Sequence, residues 1–100
     1  MRILIVEDEI ELQHQLASKL RAVGYTVDTA PDGQIGAHIG ADYPIDMAIV
    51  DLGLPATGPS GIELIRRWRE AGKTFRILIL TARDSWQSVV EGLETALTIT

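Results

Sequence analysis

A parallel β-sheet with helices on both faces is the fold class this sequence predicts, on three observations. Continuous aliphatic runs occur at Arg2–Val6, Met47–Val50 and Phe75–Leu80, which suits strands buried on both faces. Stretches of helical periodicity alternate with them. Each run ends in a polar residue: Glu7 and Asp8, then Asp51, then Thr81. Strands that alternate with helices pair in parallel through right-handed crossovers.

The elements follow in order. After the first strand, Leu12, Leu16, Leu20 and Val23 form one helical stripe, with Gly24 as a stop. Tyr25–Ala30 alternates apolar and polar residues, as an outer strand does. Pro31, Asp32 and Gly33 signal a turn. Gln34–Ala41 reads as a weak helix, because Gly36 and Gly40 each cost about 1 kcal/mol relative to Ala. The run Met47–Val50 delivers Asp51 to a Pro- and Gly-rich loop, Leu54–Pro59. Ser60 and Glu63 have capping-box spacing, and Ile62, Ile65 and Trp68 predict the apolar face of the next helix. Beyond Phe75–Leu80, Asp84 and Gln87 form another capping pair. Trp86, Val89, Val90, Leu93 and Leu97 then lie at i, i+3, i+4, i+7 and i+11, the cleanest amphipathic pattern in the chain.

Composition narrows the function. A chain of 100 residues with 46% hydrophobic residues suits one domain with a core. The net charge of -5 disfavours nucleic-acid binding. The sequence has no Cys, which removes disulfides, thiolate zinc sites and thiol nucleophiles. It also has no apolar run of ~20 residues. A cytoplasmic, non-membrane domain is the expectation. The glycines match neither a P-loop nor a dinucleotide fingerprint.

In an open parallel sheet, ligands bind beyond the carboxyl ends of the strands. The sequence therefore gathers Glu7, Asp8, Asp51 and Thr81 at one edge. Clustered carboxylates repel and call for a cation, and oxygen donors suit Mg²⁺ better than zinc. One carboxylate could then attack a phosphoryl group, with Thr81 donating to a phosphoryl oxygen. A plainer reading stands beside each residue. Asp8 can be the N-cap of the first helix, with Glu11 at its third position; Asp51 can begin a loop; Thr81 can cap a turn.

Ile-Leu-Ile-Val-Glu-Asp-Glu at 3–9, Ile-Val-Asp-Leu-Gly-Leu-Pro at 49–55 and Leu-Thr-Ala-Arg at 80–83 resemble the receiver domain of bacterial two-component response regulators. Residues 64–69 and 84–87 resemble the PhoP branch of the OmpR/PhoB-type regulators. The resemblance implies a flavodoxin-like, CheY-like doubly wound sheet of order 2-1-3-4-5. It makes Asp51 the phosphoacceptor, Thr81 the switch hydroxyl and Ala82 the amide that faces the phosphoryl group. It makes Glu7, Asp8, Asp51 and the Gly53 carbonyl the Mg²⁺ ligands. It also implies a sensor histidine kinase or small acyl phosphate as donor. In the intact protein it implies a homodimer that controls transcription through a separate DNA-binding domain.

The sequence departs from the family pattern twice. Ala56, Thr57, Gly58, Pro59 and Ser60 stand between Pro55 and Gly61, a two-residue insertion. The family pattern also continues to a site Lys-Pro pair, a fifth strand with an aromatic switch residue, and a fifth helix. This sequence ends Glu94–Thr100, and its only lysines are Lys19 and Lys73. The expectation is a receiver incomplete at its C-terminus, without the fifth strand, the fifth helix or the effector domain. Two other functions compete with a phosphoacceptor. One is a truncated, non-switching interaction module, which the absent Lys favours. The other is a Mg²⁺-dependent phosphohydrolase, which would carry an Asp where Gly53 stands. His14 and His38 read as surface or half-buried residues, Trp68 and Trp86 as packing residues, and Arg66, Arg67 and Arg69 as a solvated helix face.

Overall fold

The computed structural model describes residues 1–80. Seven elements alternate: β1 (Arg2–Val6), α1 (Ile10–Ala22), β2 (Thr26–Ala30), α2 (Gly33–Asp42), β3 (Met47–Asp51), α3 (Gly61–Glu70) and β4 (Arg76–Leu80). All strand pairs are parallel, in the order β2-β1-β3-β4. The predicted doubly wound order therefore holds for these strands. The predicted helix through Trp86, Val89, Val90, Leu93 and Leu97, with its capping pair Asp84 and Gln87, lies outside the described residues.

The period of two along each strand splits the core. Ile3, Ile5, Met47, Ile49, Leu78 and Leu80 face Leu12, Leu16, Ala17 and Leu20 of α1. Leu4, Val6, Ala48, Val50 and Ile77 face the other way, onto Leu64 and Trp68 of α3. Because both faces are covered, the inner strands read as unbroken aliphatic runs.

Helix ends show where local chemistry agreed with the sequence and where it did not. Gly24 stops α1 with φ +99°, and its N–H donates to the Arg21 carbonyl while Tyr25 N–H donates to that of Leu20. Val23 is the C-cap and is 66% exposed, so it leaves the buried stripe. Strand β2 begins at Thr26, and Tyr25 lies before it. Ser60 Oγ accepts from Glu63 N–H at 3.1 Å, but the Glu63 carboxylate accepts from Arg67 at 3.2 Å. The capping box is thus half made. Arg69 turns inward and donates to the carbonyls of Lys73 and Phe75, closing the α3–β4 turn rather than facing solvent.

The buried face of α3 is Gly61, Leu64 and Trp68, whereas Ile62 is 51% exposed. Gly61 sets this rotation. A Cβ there would come 2.9 Å from the Asp51 carbonyl oxygen and 3.0 Å from Leu52 Cα. Only that small residue can meet the strand end, and Leu64 and Trp68 follow it at i+3 and i+7.

Helix α2 departs most from its propensity. It forms ten residues, with Asp32 accepting from Ile35 N–H at 2.9 Å as N-cap. Gly33, Gly36 and Gly40 are its buried positions. A Cβ on Gly36 would lie 2.9 Å from Val6 Cγ2, and one on Gly40 would lie 2.6 Å from Trp68 Cε2. The glycines weaken the isolated helix but let its backbone approach β1 and the indole. Gly40→Ala should therefore destabilise despite its better propensity. The expected loss is about 1–2 kcal/mol, since overpacking a core by a methyl typically outweighs the propensity gain. A urea midpoint at or above the parent's would show that the ring yields freely.

Candidate functional site

The pairing of β1 with β3 runs from Ile3 opposite Met47 to Val6 opposite Val50. One step further along the same register, Glu7 lies opposite Asp51. Both residues continue the rows Ile3, Ile5 and Met47, Ile49, which face α1. The alternation that buries those side chains thus carries two carboxylates onto one face at the sheet's C-terminal edge. Asp8 begins the turn into α1 beside them. One oxygen from each of Glu7, Asp8 and Asp51 lies within 4.8 Å of the others. Glu7 is wholly buried, Asp51 is 5% exposed and Asp8 is half-buried.

The carboxylates of Asp51 and Glu7 are each held by their own turn. Asp51 Oδ1 accepts from Gly53 N–H at 2.9 Å. The next amide, Leu52 N–H, donates to the Leu80 carbonyl at 3.1 Å. Glu7 N–H donates to the Ala30 carbonyl at 3.0 Å, and Glu7 Oε2 accepts from Glu9 N–H at 3.0 Å. The N-cap of α1 is Glu9, with no side-chain cap bond. Asp8 is therefore not the helix cap, and the plainer reading of that residue fails. Gly53 meets Asp51 through its amide, a different atom from the carbonyl expected at a metal. Thr81 and Ala82 lie outside the described residues. Sequence reasoning passed over Gln13, which is buried and donates through Nε2 to the Glu7 carbonyl at 3.0 Å. The signal available was a polar residue between Leu12 and Leu16 on the core side of an amphipathic helix.

Burial pushes the Glu7 carboxyl up from 4.5 to about 7. The Glu9 amide opposes that rise, while the Asp8 side chain and the Asp51 charge add to it. The folded state thus keeps a proton that the unfolded chain releases near pH 4.5. Stability from this group is full below about pH 4.5 and is lost as pH rises through about 7. In metal-free buffer the loss should be ~3 kcal/mol. A bound divalent cation favours the carboxylate, so Mg²⁺ should stabilise more above that window than below it. At a hundred times its dissociation constant the gain should be about 2.7 kcal/mol. Melting in chelator and in Mg²⁺ across this pH range checks both signs; coincident curves would count against a cation site.

The donor set is all oxygen and the chain has no Cys, which fits a hard cation. A family model for the response regulator receiver domain matches residues 3–98. The chain belongs to that family. The receiver domain is 50% identical over 93 residues to the two-component response regulator PhoP of Pseudomonas aeruginosa. It is 45% identical over 93 residues to the transcriptional regulatory protein PhoP of Escherichia coli. Each match covers 93% of this chain but only 40% and 41% of those relatives. Among solved structures, the receiver domain of the hybrid histidine kinase CckA matches with a TM-score of 0.79 and 28% identity, covering 95% of this chain and 97% of that one. The response regulator TrrA of Thermotoga maritima, in complex with Mg²⁺ and BeF, matches with a TM-score of 0.75 and 32% identity. That match covers 92% of this chain and 78% of TrrA. The receiver resembles PhoP-type regulators in sequence and CheY-like receivers in fold. No described helix is long and apolar enough to cross a membrane.

Proposed function

We propose that this receiver accepts a phosphoryl group on Asp51, with Mg²⁺ held by Glu7, Asp8, Asp51 and the Gly53 carbonyl. The observation that carries the reading is the meeting of three carboxylate oxygens within 4.8 Å at the ends of the two inner strands. The Mg²⁺–BeF complex of TrrA, a structural relative, supports the choice of cation.

An Asp51 oxygen forms the new bond to phosphorus while the bond from phosphorus to the donor breaks. The leaving imidazole or carboxylate departs with the electron pair. Mg²⁺, when bound, offsets the charge of the carboxylates and of the transferring oxygens. The Gly53 amide holds Asp51 Oδ1 at 2.9 Å and so fixes the plane of the attacking carboxylate. Thr81 and Ala82 supply a hydroxyl and an amide to the phosphoryl group. Position 53 offers no carboxyl to activate water, so the domain acts as an acceptor rather than as a dedicated phosphohydrolase. The donor is a phosphohistidine of a sensor histidine kinase. In the intact cytoplasmic regulator, phosphorylation drives a homodimer that controls transcription through a separate DNA-binding domain.

Intact mass before and after incubation with acetyl phosphate tests the reading. A gain of one phosphoryl group that requires Mg²⁺ is expected. No gain at any Mg²⁺ concentration would remove it.

A further inference from the structure

Among the described residues, the buried polar or charged side chains are Glu7, Asp51 and Gln13. The mechanism above uses the first two and leaves Gln13 idle. Gln13 sits in the first turn of α1 and is 5% exposed. That helix is already anchored by Leu12, Leu16, Ala17 and Leu20, all buried in the core. A polar side chain among them needs a hydrogen bond to be tolerated.

The bond it makes is informative. Gln13 Nε2 donates to the Glu7 carbonyl at 3.0 Å, and Gln13 N–H donates to the Glu9 carbonyl at 2.9 Å. One residue thus grips the carbonyls on either side of Asp8. The Glu7 carbonyl belongs to the peptide group that carries the Asp8 amide. Fixing that plane fixes where the Asp8 N and Cα sit, the base from which its side chain leaves the backbone. Asp8 must hold its carboxylate near two others that repel it, and a loose turn would swing away.

We infer that Gln13 is a positioning residue of the cation site: it braces the Glu7–Glu9 turn so that Asp8 stays beside Glu7 and Asp51. The inference rests on the Mg²⁺ reading above. A ligand set held in place before binding needs no ordering when the cation arrives, so the brace acts on affinity.

Gln13→Met keeps the length of the side chain and removes the donor. Gln13→Glu keeps its size and, when ionised, cannot donate. Leu20→Val disturbs the same helix far from the turn. Mg²⁺ titration of the full chain, followed by amide NMR, gives the dissociation constant. Urea unfolding in chelator gives the metal-free stability. Both Gln13 variants should bind Mg²⁺ about tenfold more weakly than the parent. Leu20→Val should lower the urea midpoint and leave Mg²⁺ affinity unchanged. Gln13 variants that lose stability but bind Mg²⁺ like the parent would overturn the inference and leave the proposed function standing. A parent chain that binds no Mg²⁺ would overturn both.

Discussion

The Asp51→Asn protein should take up no phosphoryl group under conditions that label the parent fully. The substitution keeps the shape of the side chain and exchanges an anionic oxygen for a neutral amide, a far poorer nucleophile. Its fold should survive. Asp51 ends an inner strand whose other residues, Met47, Ala48, Ile49 and Val50, are all buried hydrophobics. The amide oxygen can still accept from Gly53 N–H, which holds Asp51 Oδ1 at 2.9 Å in the parent. Removing one of three clustered charges relieves repulsion, so metal-free stability should stay level or rise. Intact mass and a urea curve on the same sample separate chemistry from folding. Labelling at the parent's rate in a folded Asp51→Asn protein would move the phosphoacceptor to another residue.

Trp68→Ala should cost about 3–5 kcal/mol, a large fraction of the 5–15 kcal/mol typical of a domain. Trp68 is 2% exposed and belongs to the cluster of Leu4, Val6, Ala48, Val50, Leu64 and Ile77. Its ring meets Phe75 edge-on, with centroids 5.0 Å apart and planes at 70°. It also covers the backbone of α2 at Gly40. Truncation therefore opens a cavity shared by two helices and the sheet. Trp68→Phe is the informative companion. The buried indole N–H finds no acceptor among the described residues, so removing it breaks no hydrogen bond among them, and the loss should stay under ~1.5 kcal/mol. The smaller ring should also relieve Gly40→Ala, making the double variant less destabilised than the two losses added together. Denaturant midpoints of the four proteins test this; a strictly additive result would mean that Gly40 and Trp68 do not meet.

The architecture was legible because burial on both faces leaves a plain mark. The runs Arg2–Val6, Met47–Val50 and Phe75–Leu80 read as strands, all of which form, with Phe75 lying just before β4 and Asp51 added to β3, and the carboxylates after the first two had to share an edge. Side-chain detail was less legible wherever tertiary packing overrode local chemistry. Ile62 is more hydrophobic than Gly61, yet Gly61 is buried because the strand end leaves no room for a Cβ. Gly36 and Gly40 registered as propensity losses, since the benefit of close approach appears only when β1 and Trp68 are in place. Asp8 and Glu63 each had the spacing of a cap, but their neighbourhoods gave Asp8 to the acidic cluster and the Glu63 carboxylate to Arg67. Gln13 escaped because its partner is a backbone carbonyl, which no residue pattern records.

The two acids that close the site from opposite strands stand at the ends of β1 and β3, the inner pair of the described sheet. Amides of such strands exchange with solvent only when the whole domain opens, whereas loop amides exchange through local fluctuation. Residues 52–60, which carry the chain from Asp51 to the start of α3, contain no regular element. The proposed phosphoacceptor Asp51 therefore stands at a boundary expected between slow and fast exchange. That strand end is the slower side of the boundary, so among the described residues a rearrangement on phosphorylation should fall on the loop side.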